Sequence, residues 1–362
     1  KGVKLTKLPS LDLYSFDNPL KAFRFDLLKE PINLYEWLSH LSGGFSEPYT
    51  FGERMAIWGK ENYKRFDVVH DNQTLAYGLI KLRDMGVPVV GTIHHPITMD
   101  KRIDIKHAET LSLKLLKWRW YSFLKMQIKV ARKLDPIIVV SENTRKDVVK
   151  DFKIDPKKTR KVLHGIDHKT FEPIPSIKRK KNQLITTASA DVPLKGLIYL
   201  IRAYSELLDE FPDLSLVVIG KLRDGPTSNE LDKKDIKNKV KFISDLTSRE
   251  IAELYAESTI AISPSVYEGF GFPAGEAMSC GIPLISTNGG SLPEVVGDSG
   301  IIVPHSNPNE LRKAIKELLL SPEKRKELGE KGRKRVLEKF TWKRAAKELV
   351  EVYREAISNA DN

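Results

Sequence analysis

The sequence predicts an α/β protein of two doubly wound domains, and three observations carry that expectation. Short apolar runs alternate with helical patterns along the chain; the rhythm breaks once, at "FEPIPSIKRKKNQ" (171–183), and restarts; and 362 residues exceed what one core ordinarily organises. In the first half, "DVVH" (67–70), "VPVVGTIHH" (87–95), "PIIVVS" (136–141) and "RKVLHG" (160–165) read as buried strands. Between two of them, "TLAYGLIKLRDMG" reads as a helix that closes on Gly86. Runs without alternation suit parallel strands covered by helices on both faces. The two prolines and the charge run of 171–183 mark a linker. After it come "QLITTASA", a helix over 196–210, "LSLVVIGK", "VKFISD", a helix over 248–257, "TIAISPS", "IPLIST" and "GIIVP", a second set of the same kind. The expected division is 1–174 and 175–339, with the helical segment 340–362 packing back on the first domain. Open parallel sheets bind ligands at the carboxyl ends of their strands, so a cleft between two facing domains is the expected site, with a nucleotide or sugar phosphate as its default occupant.

Composition bounds the setting. A hydrophobic share of 41% and a charged share of 30% describe a globular chain, and no apolar run approaches the eighteen or more residues of a membrane span. The single cysteine, Cys280, rules out an internal disulfide framework and suits a reducing cytoplasm. The net charge of +12 is concentrated: between Lys101 and Lys133 ten Lys and Arg face only Asp104 and Glu109. On a helical projection of 113–133, Lys114, Lys117, Lys125, Lys129 and Arg132 share a face with Trp118 and Tyr121. Leu113, Leu116, Trp120, Phe123, Val130 and Ala131 form the opposite, core-facing side. A basic face carrying Trp and Tyr suits a helix resting on an anionic membrane. A merely solvated face and nucleic-acid stacking are the alternatives, and no recognition motif accompanies the second.

The most informative stretch is "SPSVYEGFGFPAGEAMSCGIPLIST" (263–287). Pro273 suits a first helical turn, and Gly281 a helix stop, so "EGFGF" is a strand-to-helix loop. Gly269 and Gly271 allow the backbone close to a ligand, and the helix start offers unpaired amides to a phosphate. Glu268 on the loop and Glu276 in the first turn can accept sugar hydroxyls. The chemistry suggested is sugar-nucleotide recognition. A dipole-compensating Glu276 beside a solvated Glu268 is the structural alternative.

From Pro264 through Glu268, Gly269, Glu276, Gly281 and Pro283 to Glu294, this stretch resembles the donor motif of retaining family-4 glycosyltransferases with the GT-B fold. The likeness extends to "GIIVPHSNPNELRKAI", "FTWKRAAKELVEVY", "VSENTRKDV" and "VPVVGTIHH". It implies that Glu268 contacts the transferred sugar and Glu276 the ribose, with the backbone of Gly269, Phe270 and Gly271 serving phosphates and sugar. It implies that Lys195 of "PLKG" balances the diphosphate, a cation that a helix start otherwise disfavours. His94 is the strand-end histidine near the reacting carbon, with His95 its alternative. His70, Asn72 and Ser141 are the acceptor-side positions. The donor implied is a UDP- or GDP-linked sugar, with no further cofactor and, since no Asp-x-Asp pair occurs, no obligatory metal. The acceptor expected is a sugar or, if the basic helix rests on a membrane, a lipid or lipid-linked group, with a cytoplasmic protein peripheral on the inner membrane face.

Three departures qualify the likeness. Ala188-Ser189 stands where the family has Gly-Arg, leaving one diphosphate cation to be replaced, with Arg223 or Arg249 as candidates. His164 of "HGID" replaces the family's Asn. "KGVKLTKLP" resembles the family's second strand, so a first strand and glycine-rich loop are expected to precede it. A non-hydrolysing sugar-nucleotide epimerase and a non-catalytic basic binding protein are the competing readings.

Overall fold

A computed structural model of the chain describes residues 2–188 and 192–360. It divides into two compact units. The first comprises Lys1–Val139, Arg145–Lys161 and Leu349–Asn362, and the second Val140–Thr144 and Val162–Glu348. The segment expected to be a linker is part of the second unit's body. Phe171 is buried, Ser279 Oγ donates to its carbonyl at 2.5 Å, and Arg333 donates to the carbonyls of His168 and Phe171.

The first unit holds a four-stranded parallel sheet, β1 (Val69–Asn72), β2 (Val89–Ile93), β3 (Ile137–Val139) and β4 (Thr159–Lys161), in that spatial order. Its helices are α1 (Pro31–Leu41), α2 (Glu47–Asn62), α3 (Tyr77–Asp84), α4 (Thr98–His107), α5 (Leu111–Trp120) and α6 (Leu124–Ala131), and α7 (Glu142–Phe152) follows β3. Leu75, Leu79 and Leu82 pack with Val89, Ile93, Val130 and Ile137 in its core. Residues 2–10 form no strand, contrary to the family's second strand expected there. Val3 and Leu5 are exposed, so this piece has no apolar face to bury.

The second unit holds β5 (Gln183–Thr187), β6 (Ser215–Ile219), β7 (Val240–Ile243), β8 (Ile260–Ser263), β9 (Leu284–Thr287) and β10 (Ile301–Val303), all parallel, in the order β10-β9-β8-β5-β6-β7. Helices α8 (Leu197–Leu207), α9 (Pro226–Lys233), α10 (Ser248–Glu257), α11 (Phe272–Ser279), α12 (Leu292–Val296), α13 (Pro308–Leu320) and α14 (Pro322–Lys339) cover it, and α15 (Trp342–Ala360) closes the chain. The double cover follows from the strands. Leu184, Leu216, Val218, Ile260 and Ile262 point into one core with α8 and α13, while Ile185, Val217, Ile219 and Ala261 point into another with α11 and α12. Strands apolar on both faces leave a sheet no option but to be sandwiched.

Candidate active site

Strand order locates the site of the second unit. The chain leaves β5 for β6 on one side, and β8 lies on the other, so the connections diverge between β5 and β8. Loops leaving such a switch point separate and open a crevice at the carboxyl edge. The loop after β5 carries the turn Pro193–Lys195, and the loop after β8 carries Glu268 to Gly271. They are locked together, since the amides of Val266 and Tyr267 donate to the Leu194 carbonyl. Gly196 (φ 63) sits against the Pro264 carbonyl, where a Cβ has no room. A third loop, after β9, supports both. Ser291 Oγ donates to the carbonyls of Glu268 and Phe270, at 3.0 and 2.8 Å, and Gly290 (φ 61) lies against the Glu268 backbone.

This bonding is one-sided. Ser141 Oγ and Thr144 Oγ1 donate to the Gly269 carbonyl at 3.0 and 3.1 Å, so the loop's carbonyls are satisfied by protein. The amides of Gly269, Phe270 and Gly271 donate to nothing among the described residues. Gly271 (φ 99) then caps α11. Fixed carbonyls and vacant amides at a helix start make a preorganised anion cradle.

The charged side chains stand around it. Lys195 Nζ lies 2.8 Å from Glu268 Oε1, which also accepts from Ser265 Oγ at 2.7 Å. Glu276 begins the second turn of α11, not the first, because the helix starts at Phe272. It accepts no hydrogen bond from a described residue, and burial pushes its carboxyl up to about 7. A half-buried carboxylate without donors is an acceptor in waiting. Phe270 contributes only its backbone to the cradle, since its ring is buried in the core. Ser141 is fully buried with its hydroxyl committed to Gly269 and Thr144. Ser189 lies outside the described residues. Of the candidate replacement cations, Arg249 pairs with Glu253 on the surface at 3.2 Å, and Arg223 is exposed on the loop after β6. His164, singled out only as a departure, stacks on Phe272 (centroids 5.1 Å) and meets Phe270 edge-on at 5.2 Å. Ring contacts across a hundred residues leave no local pattern to read.

In the first unit, His70, Asn72 and His94 come together at the carboxyl ends of β1 and β2. His94 Nε2 is 2.6 Å from Asn72 Oδ1, and its amide donates to Gln73 Oε1 at 2.6 Å. His70 bridges Tyr353 OH and Thr92 Oγ1, each at 2.6 Å. Burial lowers both histidines, and at His94 the neighbouring His95 and His70 lower it further. His95 pairs with Asp100 at 2.9 Å.

The basic segment corrects the sequence expectation. The projected helix is broken by a 3-10 turn at Tyr121–Phe123, so only α6 keeps the expected phase, with Val130 and Ala131 buried. Tyr121, expected on the outer face, is buried with its hydroxyl donating to Asp104 at 2.9 Å. Helix α5 buries nothing, and Leu111, Leu115 and Trp118 are exposed by 74, 63 and 54%. Lys101 and Lys125 flank the Trp118 ring at 5.3 and 5.5 Å, while Lys117 pairs with Asp104 and Arg132 donates to the Phe152 carbonyl. No helix among the described residues is long and apolar enough to cross a membrane.

The family profile described as Glycosyltransferase Family 4 matches residues 15–170, and that described as Glycosyl transferases group 1 matches 169–335. A protein of Mycolicibacterium hassiacum named MMP alpha-(1->4)-mannosyltransferase is 40% identical over 98% of this chain and 87% of its own. The chain belongs to this glycosyltransferase family. As a glycosyltransferase of the group 1 and family 4 type, it is a transferase, and the epimerase alternative that the fold alone left open is not favoured. The D-inositol 3-phosphate glycosyltransferase of Streptomyces bingchenggensis is 28% identical over 84% of this chain and 70% of its own. Sucrose-phosphate synthase from Thermosynechococcus elongatus matches in structure with a TM-score of 0.71 at 21% identity, over 86% of this chain and 78% of that one, which gives the fold as GT-B, two Rossmann-like units.

Proposed function

We propose that this glycosyltransferase moves a hexose, mannose in the first instance, from a nucleoside diphosphate sugar to a sugar hydroxyl with retention. The observation that carries the reading is the loop Glu268–Gly271, whose amides, like the carboxyl of Glu276 near Lys195 and Glu268, have no partner among the described residues. Amides and Lys195 suit a diphosphate, Glu276 a ribose diol, and Glu268 the hydroxyls of the transferred sugar. Mannose is supported by the mannosyltransferase relative at 40% identity. An α-linked product from an α-linked nucleotide sugar is retention, and the family resemblance supports the same outcome. In a same-face displacement the anomeric carbon–phosphate oxygen bond breaks as the acceptor oxygen bonds to that carbon. The acceptor proton passes to the departing phosphate oxygen, so the chain needs no strong base. Its task is to hold the charge developing on the diphosphate, through Lys195 and the cradle, and to orient the sugar.

A thermal-shift screen against UDP, GDP, ADP and their sugars, with magnesium or with EDTA, tests the donor site. A rise for one nucleotide, unchanged by EDTA and lost in Glu276→Ala, is the expected result; no rise with any nucleotide overturns the reading. Metal-independent transfer is part of the proposal, and loss of turnover in EDTA removes it. A finer part concerns α5, whose exposed leucines, Trp118 and lysines support peripheral contact with anionic lipid. Co-sedimentation with phosphatidylglycerol vesicles that survives Trp118→Ala and Lys125→Glu together counts against that contact.

A further inference from the structure

A cavity of about 830 Å³ in the second unit shares no residue with the donor loop. It lies between α14 and the segment 173–179, at the end of α11 opposite that loop, about 12 Å away along eight helical residues. Two glycines form its floor. Gly329 of α14 sits against the Gly281 carbonyl, where a Cβ has no room, and neither residue projects a side chain into the space beside them. Pro173, Pro322 and Leu337 give apolar walls. We propose that this cavity is a second ligand site: it binds the phosphate of a small organic phosphate monoester through Arg179, Arg325 and Lys326, and the uncharged body of that ligand against the apolar walls.

The charge balance calls for an anion. Residues 173–181 and α14, far apart in sequence, meet here with twelve Lys and Arg against four Glu. Many of these cations are already used. Lys324, Lys331 and Lys334 pair with Glu317, Glu327 and Glu338, and Arg333 is committed to the carbonyls of His168, Phe171 and Ser279. Arg179, Arg325 and Lys326 have no carboxylate partner among the described residues. Arg179, exposed at the mouth, donates one bond, from Nη2 to the Gly281 carbonyl at 3.0 Å. Arg325 uses Nη1 alone, on the Leu318 and Leu319 carbonyls that end α13. Each guanidinium is thus anchored by one nitrogen and has its others unbonded among the described residues, a fork preorganised for phosphate oxygens. Partial desolvation, and after it the like charge of Arg325, lowers the Arg179 guanidinium, a cost that an anion beside them removes.

The same lining sets the ligand class. A phosphate monoester brings three acceptor oxygens and a charge of about −1.5 to −2 near pH 7, enough for two guanidinium groups and an ammonium. The volume falls in the range of roughly 300–1,000 Å³ that small molecules occupy. Glu330 and Glu338 line the cavity as well, so an extended polyanion meets repulsion that a single phosphate avoids.

Isothermal titration calorimetry of the full chain with phenyl phosphate and with inorganic phosphate, in about 0.15 M salt where diffuse attraction is screened, tests the site. Phenyl phosphate is expected to bind more tightly than inorganic phosphate, and to bind Lys195→Ala as well as the wild type. Arg179→Gln and Lys326→Gln each weaken it about ten-fold, the scale of one lost charge-assisted contact. Arg179→Gln gives up one exposed carbonyl bond, so the variant is expected to stay folded, as circular dichroism checks. No binding to the wild type, equal affinity for inorganic phosphate, unchanged binding in both variants, or loss in Lys195→Ala overturns the proposal. Tighter binding of a hexaglutamate peptide than of phenyl phosphate also overturns it, in favour of an acidic protein partner. The site is independent of the transferase reading, and a failed nucleotide screen leaves it standing.

Discussion

The two units handle polarity in opposite ways. In the second, the crevice lies at a reversal of strand order and its working groups are largely backbone: amides left vacant while three hydroxyls hold the loop's carbonyls. In the first, the described strands run in simple order without a reversal, and a cavity is walled by side chains from α1, α2 and the loop after β1. The backbone arrangement suits the donor proposed. Every nucleoside diphosphate sugar presents the same diphosphate, and backbone amides recognise it whatever side chains surround them.

Four predictions break or sharpen that contrast. The largest effect is expected from Lys195→Ala, which removes the cation beside the cradle. Turnover at saturating donor falls about 10²–10³-fold. Thermal stability changes by no more than about 1 kcal/mol, because the Lys195–Glu268 pair is partly solvated. Equal losses of stability and activity would make Lys195 structural.

Glycines compare the two units directly. Gly290→Ala places a methyl group into the Glu268 backbone at a positive φ, whereas Gly86→Ala meets open space at φ 94. Chemical denaturation is expected to show a loss of about 1 kcal/mol for Gly86→Ala and about 3 kcal/mol or more for Gly290→Ala, with nucleotide binding lost only in the second. Similar losses would mean that the loop after β9 yields without cost.

The third prediction concerns pH. Glu276 titrates near 7 in the folded chain, above its ordinary 4.5. The folded state therefore holds this proton more tightly than the unfolded one, and the associated stability, present below about pH 4.5, is lost as pH rises through 7. The loss is at most about 3 kcal/mol, and Glu276→Gln removes it. Ribose hydroxyls donate to the ionised form, so the nucleotide-induced shift grows between pH 6 and 8 in the wild type and stays flat in Glu276→Gln. A wild-type shift independent of pH would remove Glu276 from the site. The smallest effect is expected from Tyr353→Phe, which takes one hydrogen bond from His70 Nδ1 and costs about 1 kcal/mol in the first unit. Nucleotide affinity should be unchanged, and a loss would show that this helix segment acts on the donor site.

How far the sequence could be read followed the same division. Strands β5 to β10, the helix over 248–257 and the loop Glu268–Gly271 all lie close to where periodicity and the glycine–proline pattern put them. Reading failed where structure depended on distant partners. One helical projection over 113–133 hid the turn at Tyr121–Phe123, which the Tyr121–Asp104 bond and the stacking of Trp120 on Phe45 help to fix. The prolines of 171–183 suggested a free linker because nothing local announces that Arg333 binds the Phe171 carbonyl.

By itself the sequence determined two parallel α/β units and the glycine–proline loop Glu268–Gly271 before a helix, because strand burial, helix capping and loop geometry are set by neighbours a few residues apart. Tertiary structure decided that Lys195 reaches Glu268, that Ser141, Thr144 and Ser291 take the loop's carbonyls and leave its amides vacant, and that Glu36 and Glu47 share a cavity with Asn72. Those are pairings across tens to more than a hundred residues. Their free energies depend on burial and on which groups the fold brings together, and neither is written in local spacing.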